Sequence, residues 1–422
     1  MRLLENLMFA SPDTIADSAP WRRLTALLPA WRRIPLYQAR LAVNIISPED
    51  FARLPFITKP ELRENFPANF LTAENDLSAR VEAGSVELEY TSGTSDERTP
   101  VMFRRGWWDE QEGRALRLNE FIADALAENP AARRATLTPP VCNGRACPTV
   151  WASREQRTIG ATLYLNLARI PFTLSEAELA RMAREISEWS PLFLDVDPVH
   201  AVWFALYCER QGLRFPSLQF ILTSYEFTSV MHRRILQRVF GVPVLNLYGS
   251  TEAGHLLMED THGKMSPSET TAYLELVNVD AGGVGELVVT SLSNELMPLL
   301  RYRTGDLVAR REEICGTTFI LHGRARDALR AGDGRRVTTL EVDRCFEKVA
   351  GLAHYELRQQ ADGNCTLRFM PDIGAPDPKE ISALTARLES LLQTTEKIGA
   401  EAVPMVVPTH SGKFRLTVPF VA

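Results

Sequence analysis

The sequence predicts an α/β protein with three textures: a large N-terminal region on a parallel sheet, a β-rich portion after residue 270, and a small α+β unit at the C-terminal end. Three observations predict it. Between residues 133 and 252, short apolar runs alternate with amphipathic helix patterns, the rhythm of a parallel sheet. After residue 270 the pattern switches to period-two alternation around Gly-rich turns, which reads as antiparallel. The last hundred residues carry one clear amphipathic helix among strand-like runs.

The elements follow in order. Residues 1–80 read as short helices broken by proline, with Ser47 before Pro48 and Glu49 as a helix start. Residues 107–127 suit one long amphipathic helix. "RRATLTPPV" and "SPLFLDVDP" read as strands. Between them Ser175 and Glu178 form a capping box ahead of the apolar stripe Leu179, Met182, Ile186 and Trp189. "LQFILTSYE" is a further buried strand, "TSVMHRRILQRVFG" a helix ending at Gly241, and "VPVLNLYGSTE" the next strand. "TAYLELVNVDAGGVGELVVTSL" is an antiparallel hairpin, and "MPLLRYRTGDLVARRE" and "TTFILHGRA" continue the β-rich portion. Asp377, Pro378 and Glu380 open a helix whose Ile381, Leu384, Leu388 and Leu391 share one face. A domain boundary near residues 322–327 divides 1–322 from 323–422.

The 422 residues are 45% hydrophobic and 24% charged, with a net charge of -6 and no long block of one sign. Nucleic acid and anionic membranes both call for a basic surface, so neither is an expected partner. No window reaches the roughly 18 apolar residues of a membrane span. The start of the chain is too short in its apolar run, and too broken by acids, for a signal peptide. Six cysteines in a chain of this length do not make a disulfide framework, and free thiols fit a cytoplasmic location.

Five short segments carry chemistry, and each alone also suits a bland reading. "YTSGTSDERTP" crowds the hydroxyls of Thr91, Ser92, Thr94, Ser95 and Thr99 around Gly93, as a phosphate loop does, but lacks the Gly-Lys-Ser/Thr ending of a Walker loop. A polar surface turn would look the same. "NLYGSTEAGH" runs a buried strand into Tyr248, Gly249, Ser250, Thr251 and Glu252, at a strand end where open α/β sheets bind ligands; a capped turn is the alternative. "YRTGDL" puts Asp306 after a glycine, suited to vicinal hydroxyls or to a plain turn. "HGRARD" sets Arg324 at the boundary, able to reach a phosphate or to lie in a solvated linker. "THSGKFRL" holds Lys413 on what could be a tail.

Taken together, their order and spacing resemble the adenylate-forming superfamily of acyl-CoA synthetases, peptide-synthetase adenylation domains and luciferases. The resemblance covers the chain from residue 50 on and is most like the phenylacetate-CoA ligase branch. It implies ATP and Mg2+ as cofactors, with CoA or a phosphopantetheine thiol as acyl acceptor. It also implies a small carboxylic acid substrate, and it leaves an acyl carrier protein and a homodimer open as partners. The fold it implies is a core over 1–322 and a mobile lid over 323–422.

The resemblance assigns roles residue by residue. Thr91, Ser92, Gly93, Thr94 and Ser95 wrap the β- and γ-phosphates. Tyr248, with Gly249 and Ser250 beside it, lies against adenine, Thr251 touches the α-phosphate and Glu252 holds Mg2+. Asp306 binds the ribose, Arg324 a phosphate or the ribose, and Arg336 helps nearby. Lys413 bridges the attacking carboxylate and the α-phosphate, then withdraws as the lid turns about a hinge near Arg326.

The sequence departs from the family pattern in several places. Asp96 stands where many relatives carry glycine with a lysine shortly after, whereas this stretch, through Glu97, reads Asp-Glu-Arg, and Arg326 stands where the usual hinge residue is Asp or Lys. Ser224, Tyr225 and Glu226 replace a Gly-Ala-Glu on the adenine side, so Tyr225 narrows the acyl site or reshapes the base pocket. "LLMEDTHGK" has no cysteine, and Cys142 and Cys147 lack a second pair, so no structural zinc is expected. Val141, Asn143, Trp151 and Tyr225 favour an aromatic acid, with Asn143 or His255 reading a ring substituent or serving structure alone.

Three activities remain in view: adenylation followed by thioester formation, adenylation with an amine acceptor, and a non-catalytic nucleotide-binding paralogue. The intact set Glu252, Asp306, Arg324 and Lys413 argues against the last.

Overall fold

A computed structural model describes residues 18–72, 77–91, 98–138, 153–165, 168, 170–314, 316–409 and 412–420. It divides into two compact units, 1–120 with 247–320, and 121–246 with 321–422. The strand Val244–Ser250 begins in the second unit and ends in the first.

The first unit opens with the helix Ala19–Trp31, capped by Ser18, which buries Trp21, Leu24, Leu28 and Trp31 at helical spacing. Ser47 caps Pro48–Ala52 by accepting from the Asp50 amide, and Thr58 with Glu61 forms a capping box on Lys59–Arg63. The ribbon Val86–Tyr90 and Pro100–Arg104 is antiparallel. The β-rich portion runs, in spatial order, Ala272–Val277, Val284–Ser291, Tyr302–Glu313, Gly316–Arg324, Met265–Pro267 and Gly254–Glu259. Gly254–Glu259 pairs antiparallel with the end of Val244–Ser250. The expected hairpin is present, with Asp280 accepting from the Gly282 and Val284 amides in its turn.

Residues 107–127 are not one helix, as the pattern predicts, but two: Trp107–Leu116 and Glu120–Glu128. The cause is tertiary. Asn119 is buried and its side-chain amide donates to the Glu259 carbonyl at 2.8 Å, while Leu118 and Asn119 close on Ala115 and Leu116 with tight turn bonds.

The second unit holds parallel strands in the order Val244–Ser250, Phe220–Thr223, Phe193–Val196, Arg134–Leu137 and Thr162–Tyr164, ending on the antiparallel Thr158–Ile159. Phe193–Val196 and Phe220–Thr223 are buried at every residue, as strands covered on both faces must be. Helices Glu176–Trp189, Pro198–Arg210 and Val230–Phe240 connect them. The Ser175–Glu178 capping box forms, and Gly241 ends its helix in the left-handed conformation. Pro198–Arg210 has ten buried residues spread around its surface, so no stripe announces it.

The C-terminal residues form a four-stranded sheet, Gly399–Ala402, Cys365–Pro371, Leu352–Gln359 and Thr417–Val418, against the helix Pro378–Leu392. The start of Val230–Phe240 is knitted to this part of the unit. The Asp343 carboxylate accepts from the Ser229 hydroxyl, the Val230 amide at 2.9 Å and the Tyr355 hydroxyl. The His232 and His354 rings meet at 3.0 Å, and Arg238 pairs with Asp372 at 2.7 Å. Among the described residues no helix is long and apolar enough to cross a membrane.

Candidate active site

The first unit gathers the Tyr-Gly and Gly-Asp motifs. Gly249 sits at a register shift between Val244–Ser250 and Gly254–Glu259, where a Cβ would stand 2.4 Å from the Gly254 carbonyl oxygen. No other residue fits that approach. The Tyr248 hydroxyl reaches the Asp306 carboxylate, donating to Oδ2 at 2.8 Å. Asp306 is 8% exposed and follows Gly305, whose φ of 77° is left-handed; its amide donates to the Thr304 hydroxyl. Ser250 accepts from the Ala253 amide, which closes the turn that carries Thr251 and Glu252.

Glu252 is 4% exposed, and its Oε1 accepts from the Tyr302 hydroxyl at 2.9 Å and faces the Lys59 ammonium at 3.0 Å. Burial works to raise this carboxyl, but Lys59 and Tyr302 overcome it and hold the group below the ordinary carboxylate range. Lys59 is delivered by backbone: the Ile57 amide donates to the Arg301 carbonyl and the Arg303 amide donates to the Ile57 carbonyl. Lys59 and Tyr302 were not among the expected site residues. The only sequence sign of Lys59 is its place at a capped helix start.

His255 is oriented from the helix Trp107–Leu116. The buried Gln111 side chain meets His255 Nδ1 at 2.8 Å and accepts from the His255 amide, and Trp108 lies edge-on at 5.0 Å. Thr91 is buried at the base of its loop, its hydroxyl accepting from the Thr99 amide at 2.9 Å. Ser92, Gly93, Thr94, Ser95, Asp96 and Glu97 lie outside the described residues, as do Val141, Asn143 and Trp151.

The second unit gathers Ser224, Tyr225, Glu226 and Lys413. Tyr225 has a φ of 73°, a left-handed conformation that costs a residue with a Cβ about 1–2 kcal/mol. Asp195 holds it there, accepting from the Ser224 hydroxyl at 3.0 Å and the Tyr225 hydroxyl at 3.1 Å. The strained peptide presents its carbonyl to Lys413, whose Nζ donates to Tyr225 O at 3.0 Å. The next residue, Glu226, accepts from the Phe414 amide at 2.8 Å. Burial and then the nearby Asp197 push the Glu226 carboxyl up, against the Lys413 ammonium. The strand Gly316–Arg324 passes from the first unit into the second after Ile320 and ends on Arg324, and Arg336 lies in the short strand Arg336–Val337 of the second unit. Asp195 went unnoticed in the sequence, although an acid inside a four-residue apolar strand end was a legible sign.

The chain is similar to known ligases. It is 28% identical over 402 residues to phenylacetate-coenzyme A ligase of Pseudomonas putida, across 86% of this chain and 82% of that protein. It is 24% identical over 323 residues to phenylacetate-coenzyme A ligase of Escherichia coli, across 72% of this chain and 69% of that protein. Its fold matches 2-hydroxyisobutyryl-CoA ligase in the postadenylation state with a TM-score of 0.66 at 18% identity, over 97% of this chain and 90% of the other. No protein-family model matches.

Proposed function

We propose, from the premise that this chain belongs to the phenylacetate-CoA ligase-like branch of the adenylate-forming superfamily, that it is an AMP-forming acid–thiol ligase acting on a small, aromatic carboxylic acid with CoA as acceptor. The observation that carries the reading is the Lys413 ammonium seated on the Tyr225 carbonyl, inside the loop expected to face the nucleotide.

The chemistry has two steps. A carboxylate oxygen bonds to the α-phosphorus of ATP, the bond to the bridging oxygen breaks and pyrophosphate leaves. The CoA thiolate then bonds to the acyl carbon, AMP leaves, and the thiol proton passes to solvent. An anion must approach a polyanion in the first step, so fixed cations and N–H donors lower that barrier. In this reading Asp306 accepts the ribose hydroxyls, Tyr248 lies along the base, Thr251 contacts the α-phosphate and Arg324 with Arg336 adds positive charge. Lys413 bridges the attacking carboxylate and the α-phosphate. His255, held by Gln111, reads the acyl group.

Glu252 suits Mg2+: it is a buried hard oxygen donor whose place already draws one cation, Lys59. Bound there, the metal would offset phosphate charge.

After adenylation, residues 323–422 turn about the hinge near Arg326 and withdraw Lys413. That motion has to release the Asp343–Ser229, His232–His354 and Arg238–Asp372 contacts. The enzyme works in the cytoplasm. Acid-dependent ATP–pyrophosphate exchange across aryl and alkyl acids, followed by CoA, a carrier protein or an amine as acceptor, tests the reading. Exchange with aryl acids and thioester formation with CoA support it; an amide as the only product, or no exchange with any acid, overturns it.

A further inference from the structure

We propose that Asp195 is a positioning residue for Lys413: it clamps the strained turn Ser224, Tyr225 and Glu226, whose last two residues dock the Lys413–Phe414 tip. The clamp and the dock stand on hydrogen bonds alone. Their part in adenylation rests on the ligase reading given above.

The Glu226 amide donates to the Ser224 carbonyl at 2.8 Å across Tyr225, whose φ is 73°. A closure of that kind with a positive φ at its centre is a γ-turn of the rare, strained hand. Such a backbone persists only where its surroundings over-determine it. Here they do. Asp195 stands in Phe193–Val196, which pairs in parallel with Phe220–Thr223, and the turn begins directly after that second strand. The Ser224 amide donates to the Val196 carbonyl at 3.0 Å, so the turn starts from a fixed point. From beside it the buried Asp195 carboxylate accepts from the Ser224 hydroxyl through Oδ1 at 3.0 Å and from the Tyr225 hydroxyl through Oδ2 at 3.1 Å.

The clamp and the dock share one bond rotation. Returning Tyr225 to a negative φ turns its Cβ and its carbonyl together about the N–Cα bond. The phenol would then leave Asp195, and the carbonyl would leave Lys413. As the turn stands, Lys413 Nζ donates to Tyr225 O at 3.0 Å, and the Phe414 amide donates to Glu226 Oε1 at 2.8 Å. Two successive residues of the turn thus meet two successive residues of the tip, which fixes the register of Lys413.

The tip is itself preformed. Thr409 donates to the Lys413 carbonyl through its amide at 2.7 Å and its hydroxyl at 2.9 Å, and Gly412 has a φ of 87°. Phe414 packs edge-on against Phe172 at 5.5 Å. The turn is the member whose shape depends on an outside residue. Glycine at 225 would take this φ without strain; a tyrosine there makes the shape conditional on Asp195.

The test is read in the ligand-free full chain. Limiting acetic anhydride labels lysines, and mass spectrometry compares Lys413 with the exposed Lys397. Asp195→Ala is expected to raise the Lys413/Lys397 labelling ratio by about tenfold, the scale of one hydrogen bond from a charged donor. Tyr225→Phe, which removes one of the two clamping hydroxyls, should raise it by about threefold. In a Tyr225→Gly background, where the backbone takes this φ unaided, Asp195→Ala should change the ratio by less than about twofold. Loosened packing alone would raise it equally in both backgrounds, so an equal rise overturns the clamp. An unchanged ratio in folded Asp195→Ala, or in Tyr225→Phe if the first variant does not fold, also overturns it. In the wild-type background Asp195→Ala should lower kcat for acid-dependent pyrophosphate exchange by about tenfold; a raised ratio with unchanged exchange overturns the positioning role. A raised ratio with no acid-dependent exchange in the wild type leaves the clamp standing and removes the ligase reading instead.

Discussion

The Tyr248 hydroxyl donates to Asp306 Oδ2 at 2.8 Å, joining two motifs 58 residues apart in the chain. The bond holds the carboxylate at a fixed place before a ribose arrives. Asp306→Ala removes a charged acceptor, and each such bond is worth about 1.5–3 kcal/mol, or roughly tenfold to a hundredfold in Kd. Calorimetric ATP binding should weaken by that order. Tyr248→Phe keeps the ring and should change Kd much less. Unchanged affinity in Asp306→Ala would take the residue out of nucleotide binding.

Lys59 and Glu252 supply a second expectation. Lys59→Met leaves the Glu252 carboxylate buried beside a single hydroxyl donor at that oxygen. Because Lys59 is 37% exposed, solvent screens the pair and the loss should be about 1–2 kcal/mol. The melting temperature should fall in Mg2+-free buffer, and added Mg2+ should restore more of it than in the wild type. Glu252→Gln should raise the Mg2+ concentration that pyrophosphate exchange requires, and Asp96→Asn should not. An identical Mg2+ response in the wild type and Lys59→Met would separate this carboxylate from the metal.

The His232–His354 pair makes stability depend on pH. Burial pushes His354 down to about 3, and burial together with His354 lowers His232 well below its usual value. Both rings are neutral when folded and protonate near 6.5 when unfolded, so their contribution falls as pH drops from about 6.5 toward about 3. Asp343, raised by burial to about 6, works the other way and favours the folded state at the acid end of its own window. Between pH 7 and pH 5 the wild type should lose about 2 kcal/mol relative to His354→Gln. Urea unfolding at the two pH values measures the difference. Parallel losses in both proteins would show that the ring does not titrate on unfolding.

Local signals were legible where the cause was local. The Ser175–Glu178 box, the Gly241 stop and the Asp280 turn all lie within a few residues of the element they end or begin. Tertiary causes left no such mark. Asn119 breaks the helix pattern of 107–127 because Glu259 receives its amide. Pro198–Arg210 hides because nearly every face is buried, though Asp197-Pro198 at its start was a readable cap. At the candidate site, Tyr248 and Asp306 were nameable from their motifs. Lys59 and Asp195 were not, since each acts on a partner distant in the chain. Tyr225 stood out as a departure from the family pattern, but its left-handed backbone became visible only with Asp195 beside it.

Lys413→Ala should separate the half-reactions. The lysine approaches the substrate carboxylate in the first step and is withdrawn for the second. Acid-dependent pyrophosphate exchange should fall by about a hundredfold or more, the scale of removing one preorganised charge donor. Thioester formation from supplied acyl-AMP should stay within a few-fold of the wild type. Equal loss of both, with the fold intact by circular dichroism, would contradict the lid assignment.

The most direct measurement follows one oxygen atom. An aryl carboxylic acid labelled with 18O in its carboxylate is turned over with ATP and CoA, and the nucleotide and phosphate products are weighed. Attack of the carboxylate on the α-phosphorus predicts AMP carrying one 18O and unlabelled pyrophosphate. Label appearing in inorganic phosphate, with ADP as the nucleotide product, would contradict adenylation and with it the account of this protein.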